Sequence, residues 1–217
     1  MKACLAALAC LGVAATLTPA SAYYKTVTID GDFSDWADVP VIDSDPADNP
    51  GSVDIGDIKV ANDENFLYIY YTSYDSLALS TFISIDYDSD VSTGYDVFGM
   101  GLIGSEAAWQ NDFPFQQQAG VFNNGLGLTG EFFGSGAALI APYGDFPEHE
   151  LAISLDIAFG FTGIPVFDDA DFDLLLWTDV GAGDVSSKIS YTLSVPEPTS
   201  AAIVLLGALG TATRRRN

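Results

Sequence analysis

The chain has 217 residues and a formal net charge of -23, with 30 Asp and Glu against seven Lys and Arg. This charge argues against nucleic acid as a partner, because phosphates would be repelled instead of neutralised. Both cysteines, Cys4 and Cys10, lie near the amino terminus, so the rest of the chain has no disulfide, thiol nucleophile or cysteine-ligated zinc.

Residues 1–22 have the pattern of a secretory signal peptide. Lys2 precedes the apolar stretch ACLAALACLGVAATL, and the small residues Ala20, Ser21 and Ala22 follow, which is the usual order of charged, apolar and cleavage regions. We therefore expect cleavage after Ala22. Cys10 stands early in the apolar stretch without the leucine-led motif of a lipoprotein signal, which favours ordinary secretion. The domain that remains, residues 23–194, is long enough to bury one hydrophobic core.

Strand patterns dominate this domain. Residues 149–157 (HELAISLDI) and 187–195 (SKISYTLSV) alternate apolar and polar side chains, as strands with one solvated face do. Residues 58–73 (IKVANDENFLYIYYTS) predict a hairpin with its turn at 62–65. Further short strands are predicted in STFISIDYD and DFDLLLWTD, and the glycine-rich residues 119–144 predict broken strands or long loops. We predict an all-β fold, an antiparallel, jelly-roll-like β-sandwich without amphipathic helices.

The segment IDYDSDVSTGYD is the best candidate for an ion site. Asp86 and Asp88 share one face of a predicted strand, and Asp90 follows where the chain turns, so three carboxylates can converge. Oxygen ligands suit a hard cation such as calcium. The spacing is not that of an EF-hand, because Val91 and Val97 stand where that loop needs Gly and Glu. The alternative is a solvated acidic turn that caps its own backbone.

Two tryptophans are candidates for an exposed platform that would contact sugars. Trp109 is followed by Gln110 and Asn111 in a predicted loop, which places hydrogen-bonding side chains beside the ring. Trp177 shares its strand face with aspartates and is expected to be half exposed, whereas Trp36 is expected to fill the core. For each of them the alternative is an ordinary packed aromatic side chain.

Catalysis has little support in this sequence. His149 is the single histidine and lies between Glu148 and Glu150 at a predicted strand entry, where we expect a surface residue and no general base. Carboxylate pairs for glycoside hydrolysis cannot be chosen among so many acids. We therefore predict that the protein is not an enzyme.

The carboxyl-terminal residues 195–217 form a recognisable motif. Pro196, Glu197 and Pro198 precede an uncharged apolar run and the terminal arginines Arg214, Arg215 and Arg216. This order resembles a PEP-CTERM sorting signal, a family in which an inner-membrane exosortase is implied to cut near Pro-Glu-Pro and to pass the protein to the surface or matrix of a Gram-negative bacterium. The apolar run is shorter than the roughly 20 residues that a stable membrane span needs. The resemblance therefore implies a precursor held only transiently in the inner membrane.

The domain itself is similar to family 9 carbohydrate-binding modules and their DOMON-like relatives. The similarity is carried by TIDGDFSDWADVPVI, DIKVANDENFLYIYYTS, FISIDYDSDVSTGYD and HELAISLDI, in that order. It implies a sandwich that binds sugars and often holds structural calcium. By this resemblance Asp96, Glu106 and the turn at residues 30–32 would be further calcium ligands.

The predicted function is thus that of an exported, exosortase-sorted surface or matrix protein. Its β-sandwich would be non-catalytic, stabilised by calcium and able to bind polysaccharide. Two alternatives stay open: a structural or adhesive surface protein of the same fold without a sugar site, and a glycoside hydrolase.

Overall fold

The computed structural model describes residues 23–50, 52–75, 80–179 and 183–195, apart from the side chains of residues 123–126. Three sets of predicted residues lie outside these ranges: the cleavage site at Ala20 and Ala22, the Pro196, Glu197 and Pro198 motif, and the arginines Arg214, Arg215 and Arg216. In the described part of the chain, no helix has the length and apolar character needed to cross a membrane.

Nearly all regular structure in the described residues is β-strand. Two short 3-10 helices cover Phe33–Trp36 and Val97–Gly99. The strands, in chain order, are β1 Asp43–Ser44, β2 Ile55–Asn62, β3 Phe66–Ser73, β4 Thr81–Asp86, β5 Tyr95–Asp96, β6 Gly104–Ser105, β7 Ala107–Gln110, β8 Phe113–Gln118, β9 Val121–Leu126, β10 Leu128–Thr129, β11 Leu139–Ala141, β12 Glu148–Ser154, β13 Ala158–Phe159, β14 Asp171–Thr178, β15 Asp184–Val185 and β16 Ile189–Thr192.

The strands form two main antiparallel sheets, which confirms the predicted β-sandwich. The five-stranded sheet has the order β1-β2-β3-β12-β11. The seven-stranded sheet has the order β15-β14-β4-β7-β8-β9, and β16 also pairs with β14. Two-stranded ribbons, β5 with β6 and β10 with β13, complete the described strands. The strands β1 and β15 therefore stand at the edges of the two different sheets.

The main hydrophobic core lies between the two sheets. Ile69 of β3 and Leu151 of β12 contribute from the five-stranded sheet, and Ile83 of β4 with Leu174 and Leu176 of β14 from the seven-stranded sheet. Each such side chain is almost completely buried. Full burial of a side chain of this size is worth about 1.5–3 kcal/mol, so the alternating apolar residues hold the sheets together.

The outer faces of both sheets are also covered in part. Trp36 and Tyr70 belong to a second apolar cluster on the outer face of β3, built with residues of the amino-terminal segment. Phe82, Leu175 and Trp177 belong to a third cluster, on the outer face of β4 and β14. These strands are therefore buried on both faces, which explains why FLYIYY and DLLLWT read as nearly continuous apolar runs.

The predicted hairpin of β2 and β3 is confirmed, with Asn62 opposite Leu67. Asp63 fixes the turn, because its Oδ1 accepts hydrogen bonds from the backbone N–H of Asn65 at 2.8 Å and of Phe66 at 2.9 Å. Its Oδ2 accepts from the Tyr68 hydroxyl at 2.8 Å. The short acidic side chain thus satisfies donors that the turn leaves without a strand partner.

Candidate metal centre

Three acidic side chains meet at one end of the seven-stranded sheet and are here called the loop cluster: Asp86, Asp88 and Glu106. Asp86 ends β4, Asp88 follows in the next turn, and Glu106 stands between β6 and β7. One carboxylate oxygen from each lies within 4.8 Å of the other two. The strand pairing of β4 with β7, in which Ile85 lies opposite Ala107, brings Glu106 to the end of β4.

Asp86 is the deepest member of the loop cluster, with 1% of its surface exposed. Its Oδ2 accepts a hydrogen bond from the backbone N–H of Gly104 at 2.9 Å. Its Oδ1 is buried and has no hydrogen-bond partner among the described residues. A buried carboxylate oxygen without a partner costs about 1–3 kcal/mol or more, so this oxygen is suited to a ligand that supplies positive charge.

Thr93 links the other two carboxylates of the loop cluster. Its hydroxyl lies at hydrogen-bonding distance from Glu106 Oε1 and 3.1 Å from Asp88 Oδ1. Glu106 Oε2 also accepts from the backbone N–H of Tyr87 at 3.2 Å. One hydroxyl proton cannot satisfy two carboxylate oxygens at once, so negative charge in the cluster stays uncompensated.

The pKa of Glu106 is raised to about 8, mainly by burial and also by the charges of Asp86 and Asp88. The hydrogen bond from Thr93 acts in the opposite direction and lowers this pKa. Burial is also the main cause that raises the pKa of Asp86. Both shifts express the same fact, which is that the cluster holds more negative charge than its surroundings stabilise. A bound divalent cation would favour the ionised form of all three groups.

The lysines of the domain do not supply that charge. Residues 23–195 contain three lysines and no arginine. Lys25 pairs with Asp38, Lys59 Nζ donates to the carbonyl of Trp36 at 2.8 Å, and Lys188 pairs with Asp173 at 3.1 Å. None of these contacts is with a carboxylate of the loop cluster, although Asp173, the partner of Lys188, lies opposite Asp86 in the pairing of β14 with β4.

Two of the ligands predicted from the sequence, Asp90 and Asp96, lie outside the loop cluster. Asp90 Oδ1 instead accepts from the backbone N–H and the hydroxyl of Ser92, at 2.9 and 2.6 Å. Asp96 Oδ1 accepts from the backbone N–H of Gly101 at 2.7 Å. Both are exposed or half-exposed side chains that cap local backbone, whereas Glu106, a further ligand by resemblance, lies with Asp86 and Asp88 in the cluster.

Trp109 does not form an exposed platform, and this prediction is wrong. It lies in β7, not in a loop, and 0% of its surface is exposed. Its indole N–H donates to the carbonyl of Gly136 at 2.8 Å. Gln110 ends β7 half-buried, and Asn111 occupies the left-handed region in the turn to β8, with φ of 57°. The polar residues Gln110 and Asn111 thus belong to the end of a buried strand and to the tight turn that follows it.

Trp177 is also buried, with 2% of its surface exposed, so its predicted half-exposure is wrong. The ring stacks on Phe82 with 4.2 Å between centroids and an angle of 10° between planes. Its indole N–H donates to Ser84 Oγ at 2.9 Å. The apolar cluster over the outer face of the sheet covers the ring. Trp36 is buried, as predicted.

His149 is buried in β12 and is not the surface residue that the sequence predicts. Its ring stacks on Tyr71 at 5.4 Å, and its Nδ1 lies 3.0 Å from the carbonyl oxygen of Pro142. Burial lowers the pKa of His149, which favours the neutral ring. The side chain therefore packs inside the sandwich.

Glu150 binds the backbone of the turn at residues 30–32, for which the resemblance predicts a calcium ligand. Its Oε1 accepts from the backbone N–H of Asp30 at 2.8 Å and of Gly31 at 2.7 Å. Its Oε2 accepts from the indole N–H of Trp36 at 2.9 Å. This fully buried carboxylate fastens the amino-terminal segment to β12, and the turn contributes its N–H groups to that contact.

A groove beside the five-stranded sheet carries aromatic and acidic side chains together. Phe66 and Phe132 stack with 5.5 Å between centroids and 8° between planes. The groove has a volume of about 510 Å³ and is also lined by Glu64, Glu131 and Asp156. Sequence analysis missed it, because Phe132 lies in the glycine-rich segment, far from β3 in the chain, and only the fold brings the rings together.

The comparisons with known proteins gave structural matches alone. No protein-family model matches the chain, and no curated protein matches it. The chain is similar to the solved structure of a family 9 carbohydrate-binding module from Caldicellulosiruptor kristjanssonii in complex with glucose, with a TM-score of 0.45 and 12% identity over 82% of this chain and 96% of that one. For the complex with cellotriose the TM-score is 0.44 and the identity 11%, over 82% and 95% of the two chains.

Proposed function

We propose that the protein is an exported, non-catalytic surface or matrix protein whose β-sandwich is stabilised by calcium and binds polysaccharide. One observation carries the calcium part: the buried Asp86 Oδ1, which has no partner among the described residues, stands in a cluster with Asp88 and Glu106. The alternative that the sequence left open, a self-capping acidic turn, describes Asp90 and leaves the Asp86 oxygen unexplained.

Calcium is the cation that best fits the chemistry of the loop cluster. The ligand atoms are carboxylate oxygens, which hard cations prefer. Two ligands that each lie about 2.4 Å from an ion are at most about 4.8 Å apart. The cluster oxygens lie within 4.8 Å of one another. Calcium also tolerates irregular coordination better than magnesium does, which suits a site built from a loop and two strand ends.

Export is supported by the two chain ends and by the composition between them. A signal-peptide pattern precedes the domain, and a pattern resembling a PEP-CTERM signal follows it. Residues 23–195 contain no cysteine and few basic residues. In this proposal exosortase processes a precursor held transiently in the inner membrane, and the acidic domain reaches the outer surface of a Gram-negative cell.

Polysaccharide binding is assigned to the groove of Phe66 and Phe132. Aromatic rings pack against the apolar faces of sugar rings, and neighbouring carboxylates accept hydrogen bonds from hydroxyl groups. Glu64, Glu131 and Asp156 supply such acceptors around the two rings. The sequence resemblance to carbohydrate-binding modules supports the same ligand class, although the buried Trp109 and Trp177 take no part.

Thermal unfolding of the full chain in millimolar calcium and in chelator tests the calcium site. A ligand at about 100 times its Kd adds about 2.7 kcal/mol to the free energy of unfolding, which for a chain of this size is a rise in Tm of roughly 5–10 °C. We expect Asp86→Asn to lose a large part of that rise. Asp169→Asn, which removes an equal charge from an exposed position, is the control. Equal calcium responses in both variants would overturn the proposed site.

A glycan array tests the groove. We expect the wild-type chain to bind specific polysaccharides, and Phe132→Ala to lose at least about tenfold in affinity, since stacking and burial of one ring contribute over 1 kcal/mol. Phe161→Ala, which truncates an exposed aromatic elsewhere, should bind as the wild type does. Absence of any glycan binding would instead favour the structural or adhesive surface protein, and turnover of a polysaccharide would indicate a glycoside hydrolase.

A further inference from the structure

A second group of acidic side chains, here called the edge cluster, lies where the two sheets meet at their edges. It consists of Asp45, Asp54 and Asp184, and one carboxylate oxygen of each lies within 4.8 Å of the others. Asp45 follows β1, Asp54 precedes β2, and Asp184 begins β15. The cluster therefore combines two positions of the five-stranded sheet with one of the seven-stranded sheet.

Asp54 carries the strongest sign of a missing ligand. It is 4% exposed, and its carboxylate points into the edge cluster. Oδ2 accepts a hydrogen bond of 3.3 Å from the backbone N–H of Asn49, but the buried Oδ1 finds no partner in the part of the chain that the structure describes. An ionised oxygen buried in this way needs a compensating charge.

The other two carboxylates of the edge cluster, Asp45 and Asp184, add negative charge that also requires compensation. Asp184 is buried and accepts from the backbone N–H of Ile55 at 2.7 Å and of Val185 at 2.9 Å. Asp45 is half-buried beside Asp54 and Asp184, so three like charges meet where solvent is partly excluded. The three lysines of the domain are held elsewhere, so no basic side chain of the described residues compensates the cluster.

Hydrogen bonds between neutral groups fix the backbone around the edge cluster. Asn49 Nδ2 donates to the carbonyl of Val53 at 3.1 Å and to that of Gly183 at 2.8 Å, which ties the connection between β1 and β2 to the start of β15. The Tyr74 hydroxyl donates to the carbonyl of Asp45 at 2.9 Å. These neutral hydrogen bonds hold the three aspartates together against their mutual repulsion.

We propose that the edge cluster is a second binding site for a divalent cation of the calcium class, and that the ion joins the edges of the two sheets. The buried Asp54 oxygen, the two further carboxylates and the braced connections give it an all-oxygen ligand set. The site is separate from the loop cluster and shares no residue with it. Bound there, an ion would add to the hydrogen bonds that already join the edges of the two sheets.

Counting the ions bound to the full chain, by calorimetric titration and by equilibrium dialysis with calcium, tests the proposal. We expect two ions per chain in the wild type and in the Asp169→Asn control, and one ion per chain in Asp54→Asn. The half-buried Asp45→Asn serves as the milder variant, and circular dichroism checks that each variant is folded. We expect the Asp54→Asn and Asp86→Asn double variant to bind none.

The outcomes separate this proposal from the first one. Loss of one ion in Asp54→Asn supports the edge cluster, whatever Asp86→Asn does. If Asp86→Asn binds as many ions as the wild type, the loop cluster alone is overturned. A wild type that binds a single ion, lost in Asp86→Asn and kept in Asp54→Asn and Asp45→Asn, would overturn the edge cluster and leave the loop cluster standing.

Discussion

The loop cluster and the edge cluster use the same chemistry, but they connect different parts of the molecule. Asp86 and Glu106 of the loop cluster are close in sequence and belong to neighbouring strands of one sheet. Asp54 and Asp184 of the edge cluster come from different sheets and from distant parts of the chain. An ion in the first would order a local loop, whereas an ion in the second would fasten the two sheets to each other.

The two clusters also differ in the length of the chain loop that their contacts close, and therefore in the entropy cost of closing it. The contact of Asp86 with Gly104 closes a loop of 18 residues, and that of Asp184 with Ile55 closes one of 129. Each doubling of loop length adds about 0.6 kcal/mol to the entropy cost of closure. An ion at the edge cluster would stabilise the contact that closes the sevenfold longer loop, whose closure costs about 2 kcal/mol more. We expect calcium at the edge cluster to affect global stability more than calcium at the loop cluster.

Asp54→Asn should have the largest effect on stability among the changes that test this comparison. In saturating calcium we expect a loss of about 3 kcal/mol in the free energy of unfolding, the stabilisation lost when a tight ligand no longer binds. In chelator the variant should be at least as stable as the wild type, because the amide removes charge repulsion and no bound ion is lost. Urea unfolding in both conditions measures the difference. An equal loss with and without calcium would mean a purely structural role for Asp54.

Gly104→Ala should disable the loop cluster while leaving the edge cluster intact. A Cβ at this position would come within 2.5 Å of the Asp90 carbonyl oxygen, so the loop around the cluster must move, at a cost of roughly 1–3 kcal/mol. Hydrogen exchange should increase in residues 87–105 and stay unchanged at β1 and β15. Gly127→Ala is the control, because Gly127 is exposed, has no atom within 4 Å of an added Cβ and, like Gly104, does not have positive φ.

The smallest expected effect concerns His149, which lies in β12 and belongs to neither cluster. Its folded-state pKa is lowered by burial, so the unfolded chain takes up a proton first as the pH falls. The resulting stability is complete above the unfolded pKa of about 6.5 and is lost as the pH falls from that value through the lower pKa of the folded state. His149→Phe, which keeps a ring beside Tyr71, should therefore flatten the decline in Tm between pH 7.5 and 5.5 in chelator.

A decline of Tm that is equally steep in His149→Phe would mean that other groups control it. The groups around the ring are Asp145, whose charge raises the pKa of His149, together with Tyr71 and Phe146. Working in chelator keeps calcium release from either cluster out of the measurement.

The strands and the loop cluster were accessible from the sequence to different degrees. The hairpin of β2 and β3 and the existence of β12 follow from period-two patterns, which local residues determine. The predicted solvated face of β12 is wrong, because residues 149–154 are all buried. Asp86 and Asp88 were found because they stand two residues apart. Glu106 was suggested only by resemblance, because it reaches the cluster through the pairing of β4 with β7.

The sequence could not predict which aromatic side chains are exposed. The polar residues after Trp109 predict a loop, yet these residues form the tight turn after a buried strand. Trp177 was expected at the surface because aspartates alternate with it, but a second apolar layer covers that face of β14. The edge cluster was equally inaccessible, since its three members are ordinary turn aspartates among the 24 in the chain.

The three tryptophans are distributed one to each apolar layer: Trp36 on the outer face of the five-stranded sheet, Trp109 in the central core and Trp177 on the outer face of the seven-stranded sheet. Residues 23–195 contain no other tryptophan. Intrinsic fluorescence of variants that keep a single indole would therefore follow the solvation of each layer separately. The same signals would reveal whether the sandwich unfolds in one step or sheds its outer layers first.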